Sequence, residues 1–395
     1  MIACILLPRF ELTVAAGGLE AIAGRALAIA AEHRSAGSGL LGETSGGAEA
    51  YGVRSGMPLS EALARCPALE LVSADPMAVA SAWERTLRTL EQIGAGVDPE
   101  RPGLACFALD GLRGIHGGSD ELVLAAARRA LDRPARIAAA PTRFCALAGA
   151  LATRPRRTLI VRGSAREYLA PLPITLLRSR ERTAPLVGTL ERLGIATLGE
   201  LASLPRSAVA DRFGAAGIGA HRLACGEDDP PRPRSVEEPL VERFELTEAA
   251  GGPALERALG VLIDRLLARP ERRGRTLRAA TLGARLLDGG SWRTSVTFRE
   301  ALAAPRRMAL ALAPRLALLP SPADMLMLAV ERFGPAGGEQ SALFEQADQQ
   351  RRARLREAVS QMRIAAGADA ALRICLLEPD SRVPERHMML APFES

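Results

Sequence analysis

Between Gly226 and Ser235 the chain reads GEDDPPRPRS, ten residues with three prolines and no hydrophobic side chain. Proline removes backbone donors and fixes φ, so neither a helix nor a strand can run through this stretch. The chain must therefore build separate cores on its two sides. Its 395 residues are in any case too many for one ordinary core, and two to four domains are expected. We place an inter-domain linker at residues 229–240.

On the N-terminal side, residues 1–165 alternate apolar runs with helical periodicity, the rhythm of a mixed sheet covered by helices. Strands are expected at Ile2–Leu7, Leu69–Ser73, Leu104–Leu109, Arg136–Ala140 and Thr158–Arg162. Helices are expected at Leu59–Arg65, Met77–Ile93, Glu121–Asp132 and Arg143–Ala152. From 166 to 228 strand signals vanish and short helices follow one another. Beyond the linker, residues 241–335 read as a small α+β domain. Its parts are a strand at Val241–Leu246, a helix at Ala254–Ala268, a hairpin about Asp288-Gly289-Gly290, a helix at Pro305–Leu316 and a strand at Met325–Val330. Residues 336–395 form a tail that opens polar and Gly-rich and ends in a helix and an extended segment. The fold class is thus α+β, multidomain.

The chain contains no Lys, so all 51 basic residues are Arg, and the formal charge is +6. A guanidinium grips phosphate through a rigid fork, which suits a nucleic-acid partner; a GC-rich genome would produce the same bias. The six Cys are scattered without a C-x-x-C pair and read as reduced core residues of a cytosolic protein. The four His stand at no ligand or catalytic spacing, and no phosphate-loop or dinucleotide glycine pattern is present. No apolar run reaches the length of a membrane span. We expect no metal and no cofactor.

Three segments carry a resemblance. YGVRSGMPLSEALARCPALELV (Tyr51–Val72), LERLGIATLGELASLP and FGAAGIGAHRLACGEDDPP resemble the fingers and thumb of Y-family DNA polymerases, in that order along the chain. The resemblance implies a ferredoxin-like palm, small fingers at about 10–75, a helical thumb at 166–228 with a helix-hairpin-helix, and an α+β little finger at 241–335. In that family palm carboxylates hold two cations for phosphoryl transfer. Here the first pair of acid positions falls on Leu7 and Arg9, and apolar spacing puts the second pair on Ala108 and Leu109. Glu11 reads as solvated and Asp110 as a turn residue. Gly46 and Glu49 stand where the family has a Tyr and an Arg on the triphosphate, while Arg154 in LATRP keeps a residual phosphate contact. Glu181 and Thr183 replace the hairpin glycines, which leaves Arg178, Arg180 and Arg182 as candidate phosphate contacts.

This pattern of loss is similar to that of the ImuB-type group of Y-family-like proteins, and so is the ending LLEPDSRVPERHMMLAPF. The resemblance implies a non-catalytic adaptor of damage-induced mutagenesis, cytoplasmic and nucleoid-associated. Its implied partners are DNA, the sliding clamp, a DnaE-type error-prone polymerase and an ImuA-like protein. Gln340, Leu343 and Phe344 have the Q-x-x-L-F spacing of a clamp peptide, in which an extended strand places two apolar anchors in a groove. In the little finger, Arg272, Arg273, Arg275 and Arg278 are candidate backbone contacts to DNA. Trp292 and Phe298 alternate along a strand and read as core. Two alternatives stay open: an active translesion polymerase that uses Asp110, Glu11 or other acids, and an interaction scaffold with little DNA affinity.

Overall fold

The computed structural model describes residues 1–30, 39–235 and 240–336, together with residues 359, 362, 367, 370, 372–376 and 388–392. The chain divides into two compact units, Met1–Pro335 and Ala336–Ser395. In chain order the first unit begins with β1 (Ile2–Leu6), α1 (Phe10–Ala15), α2 (Leu19–Ile22), β2 (Leu27–Ile29), α3 (Gly46–Ala50), α4 (Leu59–Arg65) and β3 (Glu70–Val72). It continues through α5 (Pro76–Gln92), β4 (Val97–Arg101), β5 (Leu104–Ala108), α6 (Asp120–Ala130), β6 (Arg136–Ala140), α7 (Arg143–Ala152) and β7 (Thr158–Ile160).

The palm is a five-stranded sheet in the order β4-β5-β1-β6-β7, with β1 antiparallel to both neighbours and β6 parallel to β7. Side chains alternate across a strand. Ala3, Ile5, Leu7, Phe107 and Leu109 therefore face α5 and α6, while Cys4, Leu6, Leu104 and Cys106 face α7 and the thumb. Burial on both faces is why IACIL, and IAAA after Arg136, are unbroken apolar runs. Cys4, Cys66, Cys106 and Cys145 are buried free thiols, and burial alone pushes Cys145 up to about 12. In the fingers, β2 pairs parallel with β3. The two strands share a small core with α3 and α4 built on Ala28, Ala48, Val53, Ala62 and Leu69.

The thumb comprises α8 (Ala165–Leu169), α9 (Val187–Arg192), α10 (Leu198–Ser203) and α11 (Arg206–Ala224). Thr197 and Glu200 form a reciprocal capping box that starts α10. The Pro-rich segment after α11 has no regular structure, as its composition dictates, yet it is fastened to the palm. Arg234 donates to Glu84 and Glu91 on α5 (2.6 Å each), and its backbone N–H reaches the Val97 carbonyl (2.9 Å). That guanidinium holds the Glu84 carboxyl below its ordinary range.

The little finger follows as β8 (Val241–Ala250), α12 (Pro253–Ala268), β9 (Arg275–Leu286), β10 (Ser291–Leu302), α13 (Pro305–Leu316) and β11 (Ala323–Ala336). Its sheet order is β10-β9-β11-β8. Phe298 is buried in its core and Trp292 packs against it. The domain docks on the start of α5, where Ser291 takes the Met77 N–H on its hydroxyl (2.9 Å) and donates that hydroxyl to Asp75. Gly290 makes this approach possible: with φ of 77°, a Cβ there would sit 2.4 Å from the Ala74 carbonyl oxygen. The second unit contributes a two-stranded pair, β12 (Leu372–Leu376) with β13 (Met388–Pro392). Among the described residues no helix is long and apolar enough to cross a membrane.

Candidate functional site

The site is assembled where β1 ends. Leu6 lies opposite Leu104 on β5 and Arg136 on β6, and the Leu7 N–H bonds the Gly103 carbonyl (2.8 Å). Ala108 lies opposite Ile2, and the Leu109 N–H reaches the Met1 carbonyl. Ala108 and Leu109 are thus a full strand length from Leu7, roughly 16 Å at about 3.3 Å per residue. Ligands to one pair of cations about 4 Å apart cannot be that far separated. The expectation that Leu7, Ala108 and Leu109 replace one carboxylate set therefore fails on distance. Gly103 and Leu104 share the Leu7 end instead, and neither can ligate a metal. Asp110, exposed at the opposite end, pairs with Arg113 at 3.3 Å.

Leu7 is buried, 3% exposed. Gly103 has φ of 80°, and a Cβ there would sit 2.9 Å from the Leu7 carbonyl oxygen and 2.7 Å from the Phe10 Cβ. Both backbone and space exclude a larger side chain.

Two residues beyond Leu7 the chain turns left-handed at Arg9, with φ of 51°. The Arg9 guanidinium points across the palm-fingers cleft, where it donates to the Thr44 carbonyl (2.9 Å) and to Glu49 on α3 (2.6 Å). Each position had lost its expected chemistry in the sequence, but their union was not foreseen. The resemblance expects an acid at position 9 and a cation at position 49; Arg9 and Glu49 stand there with the signs reversed, and they pair. Thr44 also donates to Glu49 (3.4 Å). Glu43 accepts the Leu12 N–H (3.0 Å) at the start of α1. Burial lifts its carboxyl above the ordinary range. Glu11, in that first helical turn, is half-buried beside Glu43. Arg9, Glu43, Thr44, Glu49, Arg54 and Ser55 line a cleft of about 360 Å³. Among the described residues no three His, Cys, Asp or Glu side chains converge as metal ligands. The residues at the end of β1 do not fit the two cations of polymerase chemistry.

The remaining candidates are dispersed. Arg154 is exposed just after α7, on the Leu7 end of the palm, since Arg136 donates to the Leu151 carbonyl (3.1 Å). In the thumb, Thr183 is buried and donates its hydroxyl to the Leu177 carbonyl (2.7 Å). A side chain used in this way leaves no glycine-like hairpin. Arg178 pairs with Glu191 at 3.3 Å, Arg180 turns inward onto Glu100 and Asp228, and Arg182 and Glu181 are exposed. In the little finger, Arg272 and Arg275 each donate to the other's carbonyl (3.0 and 3.3 Å). The Arg275 guanidinium also lies 3.7 Å from the Phe333 ring centroid. Arg278 bonds the Arg299 carbonyl, and Arg273 is the fully exposed member of the four. Gln340, Leu343 and Phe344 lie outside the described residues.

Residues 7–150 match the impB/mucB/samB family model. DNA polymerase IV of Dehalococcoides mccartyi strain 195 is 26% identical over 262 residues, 63% of this chain and 65% of that protein. DNA polymerase IV of Caulobacter vibrioides is 26% identical over 249 residues, 60% of each. The chain thus spans about 65% of the length of the first of these curated relatives. Among solved structures, the insertion ternary complex of Dbh DNA polymerase superposes with a TM-score of 0.54 at 16% identity, covering 84% of this chain and 99% of that one. A Y-family polymerase chimera built on Dbh gives 0.51, also at 16% identity, over 84% and 99%. The chain is a distant relative of DNA polymerase IV with the mixed α+β fold of Dbh over 84% of its length.

Proposed function

We propose that this chain is a non-catalytic, DNA-binding adaptor of damage-induced mutagenesis, of the ImuB type. In this reading it links a DnaE-type error-prone polymerase and an ImuA-like partner to the sliding clamp, in the cytoplasm at the nucleoid. One observation supports it: beside Leu7 at the end of β1 the neighbouring strand brings Gly103 and Leu104 rather than acids, and an Arg9–Glu49 pair spans the adjoining cleft. Phosphoryl transfer needs metal to neutralise charge that develops on the transferring group. Among the described residues no three acidic, His or Cys side chains converge at this palm end to hold it.

Primer extension tests the reading. Purified protein with primed template, dNTPs and Mg²⁺ or Mn²⁺ is expected to give no extended product. Templated incorporation that disappears in Asp110→Ala would restore the polymerase assignment.

The clamp contact is tested separately. If Leu343 and Phe344 are the anchors, changing both to Ala weakens clamp binding by about 2–4 kcal/mol, the hot-spot range. Gln340→Ala weakens it by about 1 kcal/mol, the net worth of one hydrogen bond. Isothermal titration against the clamp reads both. Undiminished binding by the double variant would place the contact elsewhere.

A further inference from the structure

We infer that the palm carries a second anion-binding surface, built for the phosphates of a nucleic-acid backbone, at the end of its β6-β7 edge. The inference rests on the reading that this chain binds nucleic acid, and it locates where. Two segments supply the surface, RRALDRPAR (residues 128–136) and TRPRR (residues 153–157), which together hold seven Arg and one acid, Asp132. The fold brings them together. The Arg156 N–H bonds the Ala135 carbonyl (3.0 Å), Arg136 donates to the Leu151 carbonyl (3.1 Å), and Arg128 donates to the Arg156 carbonyl (3.3 Å).

Several arginines elsewhere in the molecule are neutralised in pairs. Arg9, Arg25, Arg65, Arg88, Arg143 and Arg234 all face carboxylates. Of the seven arginines in these two segments, Arg133 alone is in an ion pair among the described residues. Asp132, 79% exposed, faces Arg133 at 3.3 Å, while Arg129, Arg154 and Arg157 are exposed with no ion-pair partner among the described residues. Like charges gathered on one surface repel one another and raise the local concentration of anions.

Two independent observations point the same way. Arg136 Nε is shielded from solvent and has no hydrogen-bond partner, and the same holds for Arg133 Nη1, whose guanidinium lies 5.1 Å from the Phe10 ring centroid; such buried donors are nearly always satisfied. Arg156 holds φ of 65°, a conformation that works against a side chain by roughly 1 kcal/mol or more and tends to mark functional turns. That turn displays Arg154 and Arg157, both exposed, and is tied by Arg128 to the helix end that carries Arg129. By contrast, the little-finger Arg272 and Arg275 are spent on carbonyls and on Phe333.

The experiment is a fluorescence-anisotropy titration of the full chain against a fluorescein-labelled 20-mer, single-stranded and duplex, over a range of salt. The triple variant Arg129→Ala, Arg154→Ala, Arg157→Ala is expected to bind at least about tenfold more weakly at low salt. Its slope of log K against log salt should be shallower by about 2, from nearly one counterion released per phosphate contact. The corresponding Lys triple keeps the charge and should keep the slope, which separates charge from folding. Wild-type binding with an unchanged alanine variant would overturn the placement alone. No binding by wild type would overturn the DNA-binding reading itself. Binding confined to phosphatidylserine vesicles would replace nucleic acid with a membrane surface.

Discussion

Replacing Glu100 with Ala is expected to destabilise the palm by about 3–5 kcal/mol, the range for removing one partner of a buried ion pair. Glu100 is a β4 residue whose side chain is 9% exposed. It accepts from Arg143 on α7 (2.8 Å to Nη2) and from Arg180 of the thumb. Arg143 also reaches Asp98 at 3.3 Å, and Arg180 reaches Asp228 at 3.3 Å. Asp228 in turn takes the Phe144 N–H (2.9 Å) at the start of α7. One carboxylate thus joins the sheet edge, the helix over it, the thumb and the segment beyond the thumb. Without it, two guanidinium groups that are 14% and 18% exposed lose their shared counter-charge. Arg180 Nε already lacks a partner, so the hole cannot be refilled locally. Urea melts of Glu100→Ala and Arg307→Ala make the comparison direct, because the Arg307–Glu300 pair is exposed and such pairs contribute little. Equal midpoints for the two variants would refute the assigned role.

The parts of this fold that could be read from sequence are those fixed by local apolar pattern. Strands β1 and β5, and β6 after Arg136, are apolar without interruption because both of their faces are covered. The helices α4, α7 and α13 end where Cys-Pro, Thr-Arg-Pro and a Leu-Pro break the period. Strand β4 escaped notice because VDPER is polar and contains Pro99. Only an edge strand tolerates that proline, and its acids are paid for by arginines distant in sequence. Pro and charge in GEDDPPRPRS correctly forbade regular structure, but the grip of Arg234 on α5 is tertiary and leaves no local trace.

The carboxylate positions were misplaced for a related reason. Apolar spacing placed the second pair on Ala108 and Leu109, but spacing alone does not say which end of β5 stands beside Leu7. Only the register of β1 on β5 decides which pair stands beside Leu7. The Arg9–Glu49 pair was legible as two separate anomalies of opposite sign. Opposite sign changes at two positions of one cleft are the signal that could have joined them.

Returning a carboxylate to the end of β1 by Leu7→Asp is expected to destabilise the protein by about 3 kcal/mol or more and to confer no metal-dependent activity. The Leu side chain is 3% exposed in the core that includes Phe10, Phe107 and Leu109. Its loss removes about 2 kcal/mol of apolar burial, and an unpaired carboxyl in its place adds the penalty for a buried polar group. Metal would have to repay both, and the nearby carboxylates are already engaged, Glu43 by the Leu12 N–H and Glu49 by Arg9. Gly103 cannot take an acid without meeting Phe10 and the Leu7 carbonyl. Leu104 is buried on the opposite face of the sheet, among Cys4, Leu6 and Cys106. Arg9, held by Glu49 and Thr44, places a positive charge where a cation would approach. Burial in such surroundings favours the protonated acid over the metal-binding carboxylate. Thermal melts of wild type and Leu7→Asp, each with and without Mg²⁺, read the result. The variant should melt several degrees lower, with no recovery by Mg²⁺. A Mg²⁺-dependent rise in Tm confined to Leu7→Asp, or any dNTP incorporation by it, would show that this palm has kept more of a metal site than its side chains allow.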